Sequence, residues 1–414
     1  MSVTSAPTKL PPYSHELEWP EGLVPYKVID DNGSQGDPYA HYQWMRANAP
    51  VLRCYTPQAD VWYISRYDDV RKAMRAPKIF SSQVLEPAPL TFLTMIDDPY
   101  HTRLRAVVAR AFAPKAVAIV ESRVGETAEK LLDDLIANGG GDVVARYCLP
   151  LSLGTISGIL DVPSEDLAKM KFWSDELFSY FGRLGRQAPG TGTDEQSAME
   201  FFAYLTANLE RLYATKSESV GGHIARQWKE GLLTEKEATE LCSFMFVAGH
   251  ETTTLQLANM FFEYSKHPEL LTRIRETPKD AELFIEELLR YRGAVHRVVR
   301  KTTEDVEVAG VTIPAGSAVR LLNGSANRDE TKFPNADTLD IDRDTSASLG
   351  FGHGIHSCVG APLARLEKKV SAQLIAERID AIELDAAHPV EYLHGNSLVV
   401  GPEHLHVKLD QRRS

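Results

Sequence analysis

The chain has 414 residues, of which 43% are hydrophobic and 25% are charged, and its formal net charge at pH 7 is −12. The acidic balance argues against a nucleic-acid-binding protein, because phosphate binding needs a basic surface. The 4 cysteines are far apart and contain no CxxC pair, which excludes a disulfide framework and a four-thiolate zinc site. The polar N-terminus lacks the apolar core of a signal peptide, and no apolar run reaches the length of a membrane span. We therefore expect a soluble, cytoplasmic protein that binds neither membrane nor nucleic acid.

Helical periodicity predicts most of the elements. After an irregular N-terminal arm (1–37), the segments "VLRCYT" and "VWYISR" predict a β-hairpin near 51–66. Helices are then predicted, in chain order, over 98–112, 117–137, 164–182, 195–214 and 234–266. Short strands are predicted within 305–323, 396–400 and 405–409. No clean linker separates these parts, so we expect one interwoven domain over 1–414, mainly α with small β-sheets.

The segment 234–266 is the longest predicted helix. Thr234 and Glu237 form a capping-box pattern at its start, and His267-Pro268 ends it. Residues 241–248 are apolar nearly all round, which predicts that the helix passes through the centre of the protein. The following "GHETTT" is a poor choice for a buried helix and needs a functional or structural reason.

The stretch "FGHGIHSCVGAPLARLE" (351–367) concentrates glycine, histidine and cysteine before another helix. Three interpretations of Cys358 are open on the residues alone. It is a buried structural cysteine, a zinc ligand together with His353 and His356, or a thiolate ligand to haem iron. In the third case a helix with Pro362 in its first turn would direct its N–H groups and its positive dipole end at the sulfur.

These residues resemble the haem-binding loop of the cytochrome P450 family. The family pattern F-G-x-G-x-[HR]-x-C-x-G is matched at every position, by Phe351, Gly352, Gly354, His356, Cys358 and Gly360. The resemblance implies that Cys358 is the ligand of the haem iron and that Gly360 lies in the cofactor loop. It also implies the P450 fold, a single triangular and largely helical domain.

Other segments carry the same resemblance, in the family's order. "AGHETT" (248–253) resembles the oxygen-binding motif of the central helix. It implies that Ala248 leaves room beside the haem, that Glu251 brings protons from the solvent side, and that Thr252 forms a hydrogen bond on the oxygen-binding side. The alternative is a threonine-rich buried turn whose hydroxyls bond back to the helix.

Two further residue sets follow from the family pattern. Haem propionate binding is implied for His101, Arg105, Arg300 and His356, although helix-flank solvation is an alternative for the first two. A structural cluster is implied for the E-x-x-R pair Glu287 and Arg290 with Arg343.

The substrate pocket is expected beneath the loop 81–95. Its predicted lining consists of Leu93, Thr94, Phe244, Val247, Ala248 and His296. An outward-facing or structural role is an equal alternative for His296. Such a lining suits a small or medium apolar molecule, such as a terpenoid or an aromatic compound.

The implied function is that of a haem-thiolate monooxygenase, which hydroxylates an apolar substrate with O2. The implied cofactor is haem b (iron protoporphyrin IX), and the electrons come from NAD(P)H through ferredoxin reductase and a ferredoxin. A basic ferredoxin-docking face is predicted at Arg103, Arg110, Lys115, Arg365, Lys368 and Lys369, with two ordinary solvated helix faces as the alternative. A peroxide-using peroxygenase and a non-catalytic haem sensor are alternative functions, but neither needs the Glu251–Thr252 pair.

Overall fold

Helices make up most of the protein. The structure is a computed structural model that describes residues 10–26, 38–56, 59–84, 92–112, 114–186, 193–393 and 398–412. Its helices are α1 (Tyr39–Asn48), α2 (Tyr67–Met74), α3 (Tyr100–Ala111), α4 (Pro114–Ala137), α5 (Leu149–Leu160), α6 (Leu167–Arg186), α7 (Thr193–Ala214), α8 (Val220–Lys229), α9 (Glu235–Lys266), α10 (Glu269–Glu276), α11 (Asp280–Tyr291), α12 (Asn323–Ala326) and α13 (Ala361–Arg378). In the part of the chain so described, no helix is both long and apolar enough to cross a bilayer.

The strands are short and form small sheets. They are β1 (Val51–Cys54), β2 (Val61–Ile64), β3 (Phe80–Ser81), β4 (Gly140–Asp142), β5 (Val298–Thr302), β6 (Val306–Val308), β7 (Val311–Ile313), β8 (Ala318–Leu321), β9 (Ile379–Leu384), β10 (Glu391–Tyr392), β11 (Pro402–His404) and β12 (His406–Gln411). The largest sheet has the order β1-β2-β8-β5-β3, in which β2 and β8 are parallel and the other pairs antiparallel. Strands from both halves of the chain therefore share one sheet.

The main sequence predictions of the fold are confirmed. β1 and β2 form the predicted hairpin, with Val51 opposite Ile64. α9 begins after Thr234, whose hydroxyl accepts a bond from the N–H of Glu237 while the Glu237 carboxylate accepts one from the N–H of Thr234. The strand predicted at 396–400 is wrong in its described part, because Val399 makes only an isolated bridge to Val295; its first two residues lie outside the described residues.

Helix α5 is the largest element that the sequence patterns did not reveal. Its sequence "LPLSLGTISGIL" has no polar face, so it shows no amphipathic period. The reason is that α5 is buried against α9, where the hydroxyls of Ser152 and Thr254 lie 2.6 Å apart. At Gly249 an added Cβ would lie 2.8 Å from the Ile156 side chain. Glycine is therefore required there by the close approach of two helices.

Glu237 connects the start of α9 to α3. Besides capping α9, its carboxylate accepts a bond of 2.9 Å from the Tyr100 hydroxyl and pairs with Arg103. Burial raises the pKa of Glu237, but the hydrogen bonds from Thr234, Arg103 and Tyr100 outweigh this effect and lower the pKa overall. The carboxylate thus stabilises the fold in its ionised form, and this stabilisation is lost as the pH falls through its lowered pKa.

We predict that Glu237→Gln lowers the free energy of unfolding by about 2 kcal/mol, because bonds to a charged acceptor contribute about 1.5–3 kcal/mol. Urea unfolding at pH 7 measures the loss, and the deficit relative to wild type should shrink at acid pH. Glu235→Gln, an exposed residue in the same helical turn, is the control and should change stability by less than about 0.5 kcal/mol. Equal effects of the two substitutions would contradict the connecting role.

Candidate active site

Backbone contacts on both sides of Cys358 hold the cysteine loop in place. The backbone N–H of Cys358 donates to the carbonyl of Phe351 at 2.8 Å, and Gly360 is the N-cap of α13. Gly354 has a φ of +75°, and an added Cβ there would lie 2.6 Å from the Met74 carbonyl oxygen. These contacts turn the chain tightly before α13 and bring the thiol to the start of that helix.

The surroundings of Cys358 act on the pKa of its thiol in opposite directions. Cys358 is exposed to solvent. Burial by the surrounding atoms is nevertheless the largest influence on the pKa of its thiol, and it raises that pKa. The N–H of Gly360 and the charges of Lys368, Arg105 and Arg365 lower the pKa but do not overcome burial. The Gly360 N–H at the helix start thus acts in the direction expected for a stabilised thiolate. A bound metal cation would supply the missing positive charge.

A group of cationic and ionisable side chains lies beside the loop. The rings of His101 and His356 are 4.2 Å apart, and Arg105 donates to the carbonyl of Ser357 at 2.6 Å. Arg300, which is 4% exposed, bonds to the carbonyl of its own neighbour Val299 at 2.7 Å. The structure thus brings together all four residues predicted to bind propionates.

The electrostatics of this group favour the binding of an anion. Burial lowers the pKa of all four side chains, that of His356 to about 3 and that of Arg300 to about 10. Mutual repulsion adds to burial: Arg105 lowers the pKa of His101, and Arg300 lowers that of His356. A dianionic group would compensate these buried charges.

His101 gives the same indication by its hydrogen bonds. Its side chain is 1% exposed, and neither ring nitrogen has a hydrogen-bond partner among the described residues. The Asp98 carboxylate is 3.7 Å from its Nδ1, too far for a hydrogen bond. Asp97, the other acid near the group, is occupied by Ser81 and by the N–H of Ser82. The residues present therefore fit a haem whose propionates accept hydrogen bonds here.

The central helix presents the predicted motif without a break. α9 stays α-helical through Gly249. Thr252 donates its hydroxyl proton to the carbonyl of Ala248 at 2.9 Å. Both residues are partly buried. With its proton committed, the Thr252 oxygen is free to accept a hydrogen bond.

Glu251 is poised to exchange protons near neutral pH. Burial raises the pKa of its carboxyl to about 7, while the Lys171 ammonium lowers it and the Asp175 carboxylate raises it. Lys171 and Asp175 are an ion pair on the surface of α6, with Nζ 2.5 Å from Oδ1. Glu251 therefore lies between the helix interior and a charged pair at the surface.

The predicted pocket residues divide into two groups. Leu93 and Val247 are buried in one apolar cluster, and Phe244 and Val359 pack against it. The ring of Phe244 lies 5.2 Å from that of Phe92. This cluster joins the loop, α9 and the residue next to the thiol. Thr94, in contrast, is exposed, and most of the predicted covering loop (85–91) lies outside the described residues.

His296 does not lie with the other pocket residues. Its Nδ1 is 3.3 Å from the Tyr42 hydroxyl, and its ring packs against Tyr39 and Tyr42 of α1. An added Cβ at Gly324 would lie 2.7 Å from the ring. Burial holds the pKa of His296 well below its usual range, with repulsion from Arg297 second. The assignment of His296 to the pocket is wrong, and the structural alternative is correct.

The predicted structural cluster is assembled. The Glu287 carboxylate accepts bonds from Arg290 at 2.6 and 2.7 Å and from Arg343 at 3.2 Å. The side chains of Glu287 and Arg290 are both 0% exposed. Arg290 also donates at 2.8 Å to the carbonyls of Asn327 and Ala336. One buried carboxylate thus fixes the irregular chain that leads to the cysteine loop.

The predicted basic docking face is largely paired within the chain. Arg365 bonds to Glu286 at 2.5 and 3.0 Å, and the Lys369 ammonium lies 2.5 Å from Glu282. Arg103 pairs with the capping carboxylate, as described above. Lys368 is 1% exposed and cannot contact a partner protein; its assignment to the face is wrong. The side chains of Arg110 and Lys115 lie outside the described residues.

The zinc interpretation is also wrong. No group of three or more His, Cys, Asp or Glu side chains could hold a metal ion anywhere in the described ranges. His356 instead accepts or donates a 2.9 Å bond with the Ser82 hydroxyl. No local pattern predicts the role of Ser82, since it lies 274 positions from its partner. The burial of Lys368 does have a signal, because its spacing places it on the apolar stripe of α13 with Ala361, Ala372 and Ile375.

The fold and the loop define a mainly helical protein in which a thiol is held at a helix start beside a group of basic side chains. Residues 281–409 match the family model described as Cytochrome P450. The chain is 32% identical over 408 residues to the cytochrome P450 monooxygenase PikC of Streptomyces venezuelae, covering 94% of this chain and 96% of that protein. It is 33% identical to the vitamin D(3) 25-hydroxylase of Pseudonocardia autotrophica, covering 83% and 86%. The solved structure of CYP109E1 from Bacillus megaterium in complex with testosterone superposes with a TM-score of 0.81 at 28% identity, covering 90% and 98%.

The chain belongs to the cytochrome P450 family and is a monooxygenase of that family. Membership of this family implies that the protein binds haem and uses O2 with electrons from a redox partner. The resemblance found in the sequence is thereby confirmed, as is its predicted fold class.

We predict that Glu287→Ala destabilises the protein by about 3–5 kcal/mol, since it leaves buried arginines without a counter-charge. Urea unfolding of the purified protein measures the loss. Glu282→Ala removes an exposed ion-pair partner from the same helix and should cost less than about 1 kcal/mol. If the two substitutions cost the same, the buried cluster does not stabilise the fold.

Proposed function

We propose that this monooxygenase hydroxylates a small or medium apolar molecule at a haem b ligated by Cys358, with electrons from a ferredoxin. The observation that carries the proposal is the loop geometry. Cys358 is held at the start of α13, and the N–H of Gly360 is directed at its sulfur. A backbone donor to the ligand sulfur stabilises a bound thiolate and keeps it from dissociating as a thiol.

The four basic side chains beside the loop would hold the haem propionates. His101, Arg105, Arg300 and His356 supply the donors, and Ser82 positions the His356 ring. When bound, the haem supplies the oxidation of the substrate by O2, with two electrons and two protons. The remaining steps fall to the protein, which binds the substrate, excludes water and moves protons.

Proton delivery is assigned to Glu251 and Thr252. A carboxyl with a pKa of about 7 can both accept and donate protons near neutral pH, as an efficient acid–base group must. Glu251 would take protons from the side of Lys171 and Asp175. Thr252, whose proton is donated to Ala248, would accept a hydrogen bond from a water or reacting group and thereby orient it.

The substrate would lie against the apolar cluster of Leu93, Phe244 and Val247, beside Ala248. Few polar side chains are offered there, which favours a molecule bound by shape and apolar area. The relative named a vitamin D(3) 25-hydroxylase and the structure in complex with testosterone agree with an apolar substrate. They support hydroxylation without identifying the molecule.

The electron donor would dock on the side of the cysteine loop. A surface groove of about 360 Å³ is lined by α3 residues, including Thr102, Arg105 and Ala106, and by Ile355 and Ser357 of the loop. Its floor adjoins Cys358 in sequence. A ferredoxin, reduced by NAD(P)H through ferredoxin reductase, would bring its cluster to this groove, close to the thiolate.

A peroxygenase and a haem sensor remain the competing functions. Neither requires proton delivery from solvent, so the buried Glu251 carboxyl and the adjacent Thr252 favour the oxygen-activating monooxygenase. The larger surface cavity at α1, of about 540 Å³, offers no alternative active site. Its Arg46 and Asp329 are already bonded to neighbouring protein groups.

We predict that the reduced protein with carbon monoxide shows the red-shifted absorption of a thiolate-ligated haem. Cys358→His should retain some haem but lose this band and the oxygenase activity, because imidazole replaces the thiolate. The matched control is Cys242→Ala, a buried thiol on α9, which should keep the band. Substrate oxidation is then measured with ferredoxin, its reductase and NAD(P)H. A wild-type protein that lacks haem after expression with ample haem supply would contradict the proposal.

We also predict that Thr252→Ala and Glu251→Gln fail in different ways. Thr252→Ala should still consume NAD(P)H but release much of the reducing power as hydrogen peroxide, because the reacting group is no longer oriented. Glu251→Gln should slow turnover roughly 100-fold or more and lose the pH dependence near 7, since it removes the proton carrier. Peroxide, product and NAD(P)H are measured together.

Thr253→Ala is the matched control for these variants, because Thr253 is the next hydroxyl along α9 and points about 100° away. It should couple NAD(P)H to product as wild type does. A tightly coupled substrate is needed in every assay. Normal coupling in Thr252→Ala would remove Thr252 from the mechanism.

A further inference from the structure

Lys368 is a charged residue whose side chain is buried instead of solvated. It is 1% exposed in the middle of α13, one turn beyond Arg365. In the described part of the chain no carboxylate lies within ion-pair distance of its ammonium group. Full burial of a lysine without such a pair is rare and costs free energy. A residue kept at such a cost is expected to have a specific use.

The ammonium lies directly behind the cysteine loop. Its Nζ is 4.9 Å from the ring centroid of Phe351, and the carbonyl of Phe351 accepts the N–H of Cys358 at 2.8 Å. Arg365 also contacts this ring, at 4.5 Å, from the solvent side. Phe351 therefore lies between the loop that holds the thiol and two cations, of which Lys368 is the buried one.

The neighbouring acids do not cancel this charge. After burial, the Glu286 carboxylate has the largest influence on the pKa of Lys368. This carboxylate is itself bonded twice to Arg365. Glu367 adjoins Lys368 in sequence, but burial raises its pKa well above the usual value. Burial thus favours the neutral form of this carboxyl. Burial lowers the pKa of Lys368 to about 8, which leaves it mainly protonated at pH 7.

We propose that Lys368 is a buried positive charge that favours the reduced state of the iron site, acting through the loop of Phe351 and Cys358. The proposal rests on the ligation by Cys358 proposed above. Reduction adds one negative charge to the thiolate-ligated iron, and a fixed cation nearby stabilises the more negative state. Lys368 is a positioning residue, because it does not touch the substrate. Its charge raises the reduction potential of the iron site and so favours electron transfer from the donor.

The test is the reduction potential of the haem-loaded protein, measured by equilibrium titration with redox dyes. Lys368→Met keeps the length of the side chain and removes the charge. At a fixed applied potential the ratio of ferric to ferrous protein in this variant should rise about tenfold, because the ferrous state loses the attraction of one nearby positive charge. Lys368→Arg keeps the charge and should stay close to wild type.

Lys369→Met is the matched control, because Lys369 is the next residue on α13 and pairs with Glu282 at the surface. It should leave the potential unchanged. An unchanged potential in Lys368→Met, or an equal shift in Lys369→Met, overturns the proposal. If Lys368→Met does not fold, Lys368→Gln replaces it, and equal potentials for the Gln and Arg variants overturn the proposal.

Failure of the underlying ligation is recognised separately. A wild-type protein without the red-shifted carbon monoxide band would overturn the proposed function, whatever the Lys368 variants do. A wild-type protein with the band, combined with unchanged potentials in the variants, would overturn the role of Lys368 alone.

Discussion

The position of the active-site loop depends on one buried carboxylate, that of Glu287. It lies in α11, yet it neutralises Arg290 and Arg343 and accepts the N–H of Asp340 at 3.0 Å. Arg290 in turn binds the carbonyls of the irregular chain after α12. That chain has no sheet or helix of its own to fix it, so its polar backbone groups are satisfied by these charged side chains. The cysteine loop follows this segment directly, so the charged side chains that hold the segment also determine the position of the loop.

The same cost of burying charge has opposite outcomes in two parts of the molecule. Around Glu287 every charge has its partner within the chain, and the cluster is structural. Around His101 and Arg300, burial lowers the pKa of both side chains, and the Arg105 guanidinium lowers that of His101 further. A protein does not gain stability from such an arrangement. A bound anionic group would compensate this cost, which is why we propose that the haem propionates bind here.

Sequence reasoning predicted the residues with a strong local pattern and missed those defined by distant contacts. The capping box at Thr234 and the motif around Cys358 are local, so α9 and the loop were predictable. α5 was not, because a helix buried on all sides has no amphipathic period. His296 was misplaced because its position after α11 does not reveal that its ring turns toward Tyr42 of α1. Motif position also placed Lys368 on the surface, although its spacing along α13 puts it on the buried stripe.

Charge on the side of the cysteine loop therefore has two distinct uses. The surface cations Arg365 and Lys369 are paired with acids of α11, so their field is partly cancelled before it reaches an approaching partner. Solvent and salt weaken it further. Lys368 lies behind these pairs, where the dielectric response is weaker and no salt reaches it. If surface charge sets how often a donor docks, the buried charge sets how readily the electron is accepted. Because the two act on different steps, this arrangement lets the docking surface change without altering the iron site.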